Sequence, residues 1–255
     1  RVVEINAAGL ALLGAERADT VGRTTTELGW WVDEATRERF LERVRREGAV
    51  TGYEAALRRA HGEPFTAVLS GYLGTAAAGE AALAAAAKVR AASAGAPYCC
   101  DPVMGDRATG LYVPADLVAF FRDRAVRGAD IVVPNHFELE VLAGRVLPSL
   151  ADAVAAAVWL RGQGPRLVCV SSLKVAELGD RLGTLVLDGS GAWLVQTPHL
   201  DIDAKGAGDV LGALLLAHLL AHTPPAEALV RAVASTFAIV EATFSAGERE
   251  LALVA

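Results

Sequence analysis

The sequence predicts an α/β protein with a largely parallel sheet, preceded by a smaller α+β segment. From residue 67 onward, short apolar runs alternate with runs of helical length, a rhythm typical of βαβ units. Hydrophobic residues make up 53% of the 255-residue chain, enough for a sizeable core. Residues 1–66 instead combine a charged amphipathic run with strand-like alternation, so we predict a separate segment there.

The first segment, residues 1–66, is predicted to hold strands around one long helix. "RVVEINAA" alternates as a strand does, and "AAGLALLG" suits a short helical turn. "DEATRERFLERVRREG" predicts an amphipathic helix that Asp33 caps. His61 and Gly62 predict a turn between two further strands. The apolar stripe of the helix is Phe40, Leu41 and Val44.

The second segment, residues 67–255, alternates strands and helices in order. We predict strands in "AVLSGYLG", "PYCCDPV", "ADIVVPN" and "RLVCVSS", and a hairpin from "GTLVLDG" and "GAWLVQT" around Gly189, Ser190 and Gly191. Helices are predicted in "TAAAGEAALAAAAKVRAASAG", "PADLVAFFRDRAV", "HFELEVLAG" and "SLADAVAAAVWLRGQG", with a final pair after residue 206.

Composition excludes several classes of protein. A net charge of -6 disfavours a general nucleic-acid binder, which needs a basic face for the phosphate backbone. The three cysteines, two of them adjacent, suit buried reduced thiols better than disulfides or a CxxC metal site. Because we find no long uncharged apolar stretch and no signal peptide, we expect a cytoplasmic protein that does not enter a membrane.

Polar residues follow the predicted parallel strands. Ligands of such sheets sit beyond the carboxyl ends of the strands. The sequence therefore predicts one crevice lined by the residues that come just after each strand, which are Ser70, Tyr72, Asp101, Asn135 and Ser171.

The tetrapeptide Gly206-Ala207-Gly208-Asp209 opens the apolar helix "VLGALLLAHLL". Small residues let a ligand approach the backbone, and a helix N-terminus presents free N–H groups and partial positive charge to an anion. A carboxylate there can take a proton from a hydroxyl nucleophile. Taken alone, the motif fits equally well a turn in which Asp209 only caps the helix.

Further acidic and polar groups favour a catalytic interpretation. "CDPVMGD" offers Asp101 and Asp106, "VPNHFELE" offers Asn135 and Glu138, and "CVSSLK" offers Ser171 with its neighbour. Each could be a solvated loop, but all follow strands that share one edge. Carboxylates and amides around one crevice can hold Mg²⁺ through water molecules.

Residues 67–222 resemble the pyridoxal kinases of the ribokinase-like superfamily. The resemblance is carried by "AVLSGYLG", "YCCDPVMGD", "GLYV", "ADIVVPNHFELEVLAG", "WLVQTP" and "GAGDVLGALLLAHLL". It implies a ribokinase-like fold, ATP and Mg²⁺ as cofactors, pyridoxal as substrate, and a homodimer.

The resemblance also implies a role for each matching residue. Asp209 would deprotonate the substrate hydroxyl, and Gly206, Ala207 and Gly208 would form the anion hole. Asp106 and Glu138 would serve Mg²⁺, directly or through the phosphates. The implied nucleotide contacts are Asp101, Asn135, Glu138, Ser171, Tyr112, Thr197, Pro198, His199 and Leu200. His136 is expected in a loop beside the Asn135–Glu138 pair.

Residues 1–66 depart from the kinase pattern and resemble an incomplete PAS sensor domain. The carriers are "RVVEINAAGLALLG", "VGRTTTELGWWVDEATRERFLERVRREGAVTGYEAALRR" and "HGEPF". Trp30 and Trp31 suit core packing or a dimer contact better than a PAS pocket. A natural fusion and an error of gene joining both remain open.

Two interpretations of the whole chain follow. The first is an ATP-dependent pyridoxal kinase that lacks part of the usual vitamin pocket. The second is a non-enzymatic PAS sensor or binding module fused to an inactive, ATP-binding kinase remnant. A strand from residues 1–66 that completes the kinase sheet would favour the first, and a separate lobe the second.

Overall fold

The structure is a computed structural model that describes residues 2–5, 9–10, 13–47, 57, 65–202, 205–248 and 250–253. The chain divides into two units, Arg1–Pro64 and Phe65–Ala255.

The first unit contains helices α1 (Arg17–Thr20) and α2 (Glu34–Glu47). Asp33 precedes α2 and caps it, as predicted: its carboxylate accepts hydrogen bonds from the N–H and the hydroxyl of Thr36, at 2.7 and 2.9 Å. These bonds satisfy a backbone donor that the helix itself leaves unpaired. The predicted apolar stripe of α2, formed by Phe40, Leu41 and Val44, is half-buried.

The strand predicted at the start of the chain is not present in residues 2–5. Val2 bonds to a turn instead: its N–H donates to Arg23 O at 2.7 Å, and its carbonyl accepts from Gly22 N–H at 2.8 Å. This local pairing takes the backbone groups that a sheet partner would need. The predicted turn at His61 and Gly62 lies outside the described residues.

The two adjacent tryptophans of the first unit pack internally. Trp30 is buried. Trp31 donates from Nε1 to Thr25 Oγ1 at 2.8 Å, and its ring centroid lies 5.4 Å from that of Phe40. The burial of Trp30 agrees with core packing, one of the two roles expected for this pair, and Trp31 is half-buried.

A six-stranded sheet organises the second unit. Its strands are, in spatial order, β1 (Val68–Ser70), β2 (Tyr98–Cys100), β5 (Ile131–Val132), β6 (Leu167–Leu173), β7 (Arg181–Leu187) and β8 (Ala192–Pro198). The first three neighbouring pairs are parallel, as predicted, and the last two are antiparallel.

The predicted helices of the second unit are all present in its described part. They are α3 (Ala76–Ala92), α4 (Ala115–Phe120), α5 (Val126–Gly128), α6 (His136–Ala143), α7 (Leu150–Arg161), α8 (Ala207–Leu220) and α9 (Pro225–Ala246). A single π-helical turn, Phe121–Ala125, joins α4 to α5, and a 3₁₀ turn spans Ala176–Leu178. The sequence pattern did not indicate either turn.

Two small features near the site refine the prediction. Strands β7 and β8 form the predicted antiparallel hairpin, with Leu187 opposite Ala192. A second, unpredicted hairpin pairs β3 (Gly105–Asp106) with β4 (Gly110–Leu111) outside the main sheet. Such short strands carry too few residues to show an alternation in sequence.

The core lies on both faces of the sheet, because neighbouring residues of a strand point to opposite sides. Cys100 belongs to the cluster that contains buried residues of α3, α4, α6 and α7. Cys99 belongs to the other cluster, with buried residues of α8 and α9. The predicted burial of the free thiols, Cys99, Cys100 and Cys169, is confirmed. The unit is thus a three-layer α/β/α arrangement whose strand ends are free to build a site.

Helix α9 is the one described helix that is long and apolar enough to cross a membrane by length and composition. Its Leu229 and Val233 are buried in the same cluster as Leu211 and Leu215 of α8. One face of α9 therefore packs as a core helix does.

Candidate active site

The Gly206 turn begins α8 without any side-chain cap. Gly206 is the N-cap and has φ +88°, a left-handed conformation that favours glycine. Val210 N–H donates back to Gly206 O at 3.0 Å, so the N–H groups before it have no partner within the helix. Asp209 lies in the first turn of α8, and no side-chain capping hydrogen bond forms at the N-cap. The catalytic role of Asp209 stays a prediction.

Asp209 lies at the point where α8 meets the end of β1. A methyl group built on Gly71, which follows β1, would lie 3.0 Å from Asp209 Oδ1. One built on Gly206 would lie 4.0 Å from Asp209 Oδ2. The carboxylate of Asp209 is therefore close to two glycines that leave room around it, and the residue is exposed to solvent.

Asp101 forms the opposite side of the same turn. Its backbone N–H donates to Ser70 O at 2.8 Å, which continues the β1–β2 pairing beyond the strands. A methyl group built on Gly208 would lie 3.8 Å from Asp101 Oδ2. Burial raises the pKa of Asp101 well above its ordinary value, and the negative charges of Glu138 and Asp209 raise it further.

The Asn135–Glu138 pair is first of all a structural device. Asn135 Oδ1 accepts from Glu138 N–H at 2.9 Å, and Glu138 Oε2 accepts from Asn135 N–H at 2.8 Å, a reciprocal capping box that starts α6. Glu138 Oε1 also accepts from Met104 N–H at 2.9 Å, and Asn135 Nδ2 donates to Gly105 O at 2.8 Å. The pair thereby fixes the loop that follows Asp101.

Glu138 is almost fully buried, with 2% of its surface exposed. Burial raises its pKa to about 7, although the N–H groups of Asn135, Met104 and Gly105 work in the opposite direction. Backbone N–H groups donate to both carboxylate oxygens of Glu138, so any contact with a ligand must be made in addition to these hydrogen bonds.

Asp106 and Tyr112 lie on the small β3–β4 hairpin. Asp106 Oδ1 accepts from Ala108 N–H at 2.9 Å and from Thr109 N–H at 2.7 Å, and the Thr109 bond is the main cause of its lowered pKa. Tyr112 is half exposed, and its ring centroid lies 6.5 Å from that of Tyr72. The hairpin thus places a carboxylate and an aromatic ring at the rim of the crevice.

Two cavities meet at the turn. The acidic cavity, of about 310 Å³, is lined by Asp101, Val103, Gly105, Asp106, Tyr112, Val133, Asn135, Glu138, Ser171, Ser172, Ile202, Lys205, Gly206, Ala207, Gly208 and Asp209. The apolar cavity, of about 250 Å³, is lined by Ser171, Ser172, Leu182, Thr184, Thr197, Pro198, His199, Leu200, Ile202, Ala207, Gly208, Leu211, Val233, Thr236, Phe237 and Val240. Ala207 and Gly208 line both, so an elongated ligand can pass from one to the other over the turn.

Every residue to which the sequence gave a catalytic, nucleotide or metal role lines one of these cavities. Ser70 and Tyr72, which were also predicted to line the crevice, line neither cavity. Ser70 is buried with its hydroxyl 2.8 Å from that of Tyr98, and the side chain of Tyr72 is exposed. Gly206 and Asp209 line the acidic cavity together with the predicted metal and nucleotide carboxylates. The stretch from Thr197 to Leu200 lines the apolar cavity, and Ser171 lines both. Of the five residues predicted from strand ends, Asp101, Asn135 and Ser171 therefore line the site, and the role of each site residue stays a prediction.

Sequence reasoning missed the wall that α9 contributes and the close approach at Gly71. Val233, Phe237 and Val240 lie at helical spacing on α9, a pattern that identified an apolar face but not a ligand wall. Gly71 belongs to the motif "AVLSGYLG", but the sequence alone does not show that the fold places it next to Asp209.

The expectation of His136 in a loop is wrong. His136 is the first residue of α6 and is buried. Its Nε2 lies 3.0 Å from Leu147 O, and its Nδ1 accepts from Lys174 N–H at 3.3 Å. The ring thus connects two loops behind the site.

The donor set suits magnesium that arrives with a nucleotide. The described residues contain no group of three or more His, Cys, Asp or Glu side chains that could hold a metal directly. Mg²⁺ commonly keeps several water ligands and uses one or two carboxylates with substrate phosphates. Asp101 offers such an oxygen, and no described cationic side chain forms an ion pair with it.

Comparison with known proteins decides the family. The family model described as phosphomethylpyrimidine kinase matches residues 62–253. The chain belongs to this kinase family. The family resemblance predicted from the sequence is thereby confirmed for the second unit.

Individual relatives are described as pyridoxal kinases. The pyridoxal kinase PdxY of Rubrobacter xylanophilus is 46% identical over 191 residues, 74% of this chain and 66% of that relative. That of Granulibacter bethesdensis is 45% identical over 194 residues, 74% of this chain and 68% of the relative. The chain therefore spans about two thirds of the length of these relatives.

A solved structure agrees with the fold. Pyridoxal kinase from Leishmania donovani in complex with ADP superposes with a TM-score of 0.65 and 25% identity, over 88% of this chain and 76% of that one. The predicted ribokinase-like α/β architecture is consistent with this superposition.

Proposed function

We propose that the chain transfers the γ-phosphoryl group of ATP to the hydroxymethyl group of pyridoxal. The observation that carries the proposal is the uncapped turn at Gly206, where free N–H groups lie beside the exposed carboxylate of Asp209. The relatives named as pyridoxal kinases, and the neighbour that binds ADP, support both substrates.

The chemistry divides between the base and the turn. Asp209 accepts the proton of the substrate hydroxyl as its oxygen forms a bond to the γ-phosphorus. The bond between that phosphorus and the bridging oxygen breaks, and ADP leaves with the electron pair. The N–H groups of Ala207 and Gly208 stabilise the charge on the transferred group, because they are already aligned before the reaction.

The two cavities suit the two ends of the nucleotide. The base and ribose of ATP would occupy the apolar cavity, between β7, β8, α8 and α9, with contacts from Ser171 and the stretch 197–200. The phosphates would extend over Ala207 and Gly208 into the acidic cavity. Tyr112, at its rim, would bound the phosphate end.

Magnesium fits this arrangement as a partner of the phosphates. Asp101 would hold it through water, with Asp106 and Glu138 near it in the same cavity. The ion would offset the negative charge that the phosphates share with these carboxylates.

The test is formation of pyridoxal 5'-phosphate from pyridoxal and Mg·ATP by the wild-type chain, by Asp209→Asn and by Asp123→Asn. We expect kcat of Asp209→Asn to fall by about 10²–10⁴-fold, the usual contribution of a general base. Asp123 lies on the π-helical turn and lines neither cavity, so its variant should match the wild type. Equal rates for all three proteins would refute the assignment of the base.

A second candidate is a sensory or binding module, as the PAS resemblance of residues 1–66 suggests. It is favoured by the division of the chain at Pro64, since all six strands of the sheet, from Val68 to Pro198, lie in the second unit. This candidate predicts ATP binding without phosphoryl transfer.

If the chain is active instead, we expect its KM for pyridoxal to exceed that of the Rubrobacter relative, because part of the usual pyridoxal pocket would be missing. An equal KM, measured by steady-state kinetics, would exclude a deficient pyridoxal pocket.

We also propose a cytoplasmic homodimer. Three buried reduced cysteines support a reducing compartment. The mass measured by light scattering would test the dimer, and a monomer across the concentration range would exclude it.

A further inference from the structure

We propose that Leu251 is a positioning residue for the anion-binding turn, and that Thr243 of α9 holds it there through residues 250–253. The inference rests on the proposed function for its effect on catalysis, but the contact itself is a feature of the fold.

Leu251 approaches the turn from the side of the base. A methyl group built on Gly206 would lie 3.5 Å from Leu251 Cδ1 and 4.0 Å from Asp209 Oδ2. The leucine side chain and the carboxylate therefore meet the same glycine. Leu251 is half-buried, whereas Leu253, two residues on, is 61% exposed.

Thr243 anchors the segment that carries Leu251. Its side chain is fully buried, and Oγ1 donates to Ile239 O at 2.7 Å within α9. The same oxygen accepts from Ala252 N–H at 3.0 Å. Leu253 N–H donates to Leu251 O at 2.8 Å and tightens the segment into a short turn. The buried hydroxyl of Thr243 thus both donates and accepts a hydrogen bond, and the bond from Ala252 N–H fixes the backbone directly after Leu251.

Such support matters at this turn because its backbone is held by the bond from Val210 N–H to Gly206 O and no side chain caps it. Gly206 has a left-handed backbone, no side chain and no capping partner, so its conformation is easily exchanged for others. Packing of Leu251 against Gly206 restricts this freedom. We infer that it also holds the N–H groups and Asp209 in their relative positions. Both effects preserve the alignment on which stabilisation of a transition state depends.

The test compares Leu251→Ala with Leu253→Ala, a matched loss of the same side chain from the same segment. We expect kcat of Leu251→Ala to fall about tenfold while the KM for ATP stays unchanged, since misalignment affects the transition state most. Leu253→Ala should match the wild type. Thr243→Val, which keeps the shape but removes the acceptor for Ala252, should lower kcat in the same way, and Thr243→Ser should restore it.

A second readout does not need activity. In hydrogen–deuterium exchange, a peptide covering residues 205–211 should exchange faster in Leu251→Ala and Thr243→Val than in Leu253→Ala and Thr243→Ser. Equal exchange in all four would overturn the inference, as would equal kcat for the two leucine variants in an active enzyme. An inactive wild-type chain whose exchange follows the predicted pattern would instead refute only the proposed function.

Discussion

The two ends of the central sheet surround a carboxylate in opposite ways, with the half-buried Asp130 at the amino end and the buried Asp101 at the carboxyl end. At the amino end, Asp130 accepts from Tyr98 N–H at 2.9 Å and forms ion pairs with Arg90 and Arg166. At the carboxyl end, Asp101 is buried beside two other carboxylates and forms no ion pair within the described residues.

The consequences appear in the pKa values. Burial alone would raise the pKa of Asp130, but the Tyr98 N–H and the Arg90 guanidinium lower it below its ordinary value. The pKa of Asp101 is raised, because burial and neighbouring negative charge act together. Asp130, which serves the fold, is compensated by positively charged side chains of the same chain. Asp101 lacks such a partner within the described residues, and a carboxylate of this kind in a cavity suits a ligand that carries a cation or a metal ion.

The largest effect expected from this contrast is a loss of activity when Asp101, at the carboxyl end of the sheet, is replaced. We expect Asp101→Asn to lower kcat/KM about a hundredfold, as removal of a preorganised electrostatic group does. The same variant should raise the free energy of unfolding by about 1 kcal/mol, because a buried charge is removed. Steady-state kinetics and urea unfolding, with Asp123→Asn as control, measure both. A loss of stability would contradict the account of Asp101.

The next effect is on stability at the amino end. We expect Asp130→Asn to lower the free energy of unfolding by about 2 kcal/mol, since the charged acceptor of several donors is lost. Kinetic constants should stay unchanged, because Asp130 lines neither cavity of the site. Glu80→Gln removes an exposed pair with Arg124 and should cost under about 1 kcal/mol. Equal losses in the two variants would show that Asp130 contributes no more than a surface charge.

The smallest effect is a difference in pH dependence. The pKa of Asp101 in the folded state is above the ordinary 3.8. Its ionised carboxylate therefore lowers the free energy of unfolding by the full amount above that raised pKa, and this loss disappears as pH falls to 3.8. Asp130 has a folded-state pKa below 3.8, so its stabilisation is full above 3.8 and is lost as pH falls through the folded value.

Urea unfolding at several pH values checks this pattern. The advantage of Asp101→Asn should shrink as pH falls from above the raised pKa of Asp101 towards 3.8, while the loss from Asp130→Asn stays constant over the same range. Parallel pH profiles for the two variants would contradict the assigned shifts.

Much of the second unit could be predicted because its signals are local. The Gly189–Gly191 turn between two alternating runs predicted the β7–β8 hairpin, and parallel topology placed Asp101 and Ser171 at one edge. Interactions distant in sequence could not be read in this way. The burial of His136 depends on Leu147 and Lys174, and the contact of Leu251 with the Gly206 turn joins two segments 45 residues apart.

The start of the first unit shows a different failure. Alternation in residues 2–5 predicted a strand, but a strand needs a partner, and Val2 instead bonds to the nearby turn at Gly22 and Arg23. Tertiary context decided the outcome over local pattern.

The most direct measurement of the central claim is single-turnover transfer from Mg·ATP to pyridoxal by wild-type and Asp209→Asn chains, with ADP affinity measured on the same samples. The account predicts that the variant loses phosphoryl transfer by the stated factor and binds ADP as the wild type does. Undiminished transfer by Asp209→Asn would contradict the account, and so would a loss of transfer that a loss of ADP binding explains.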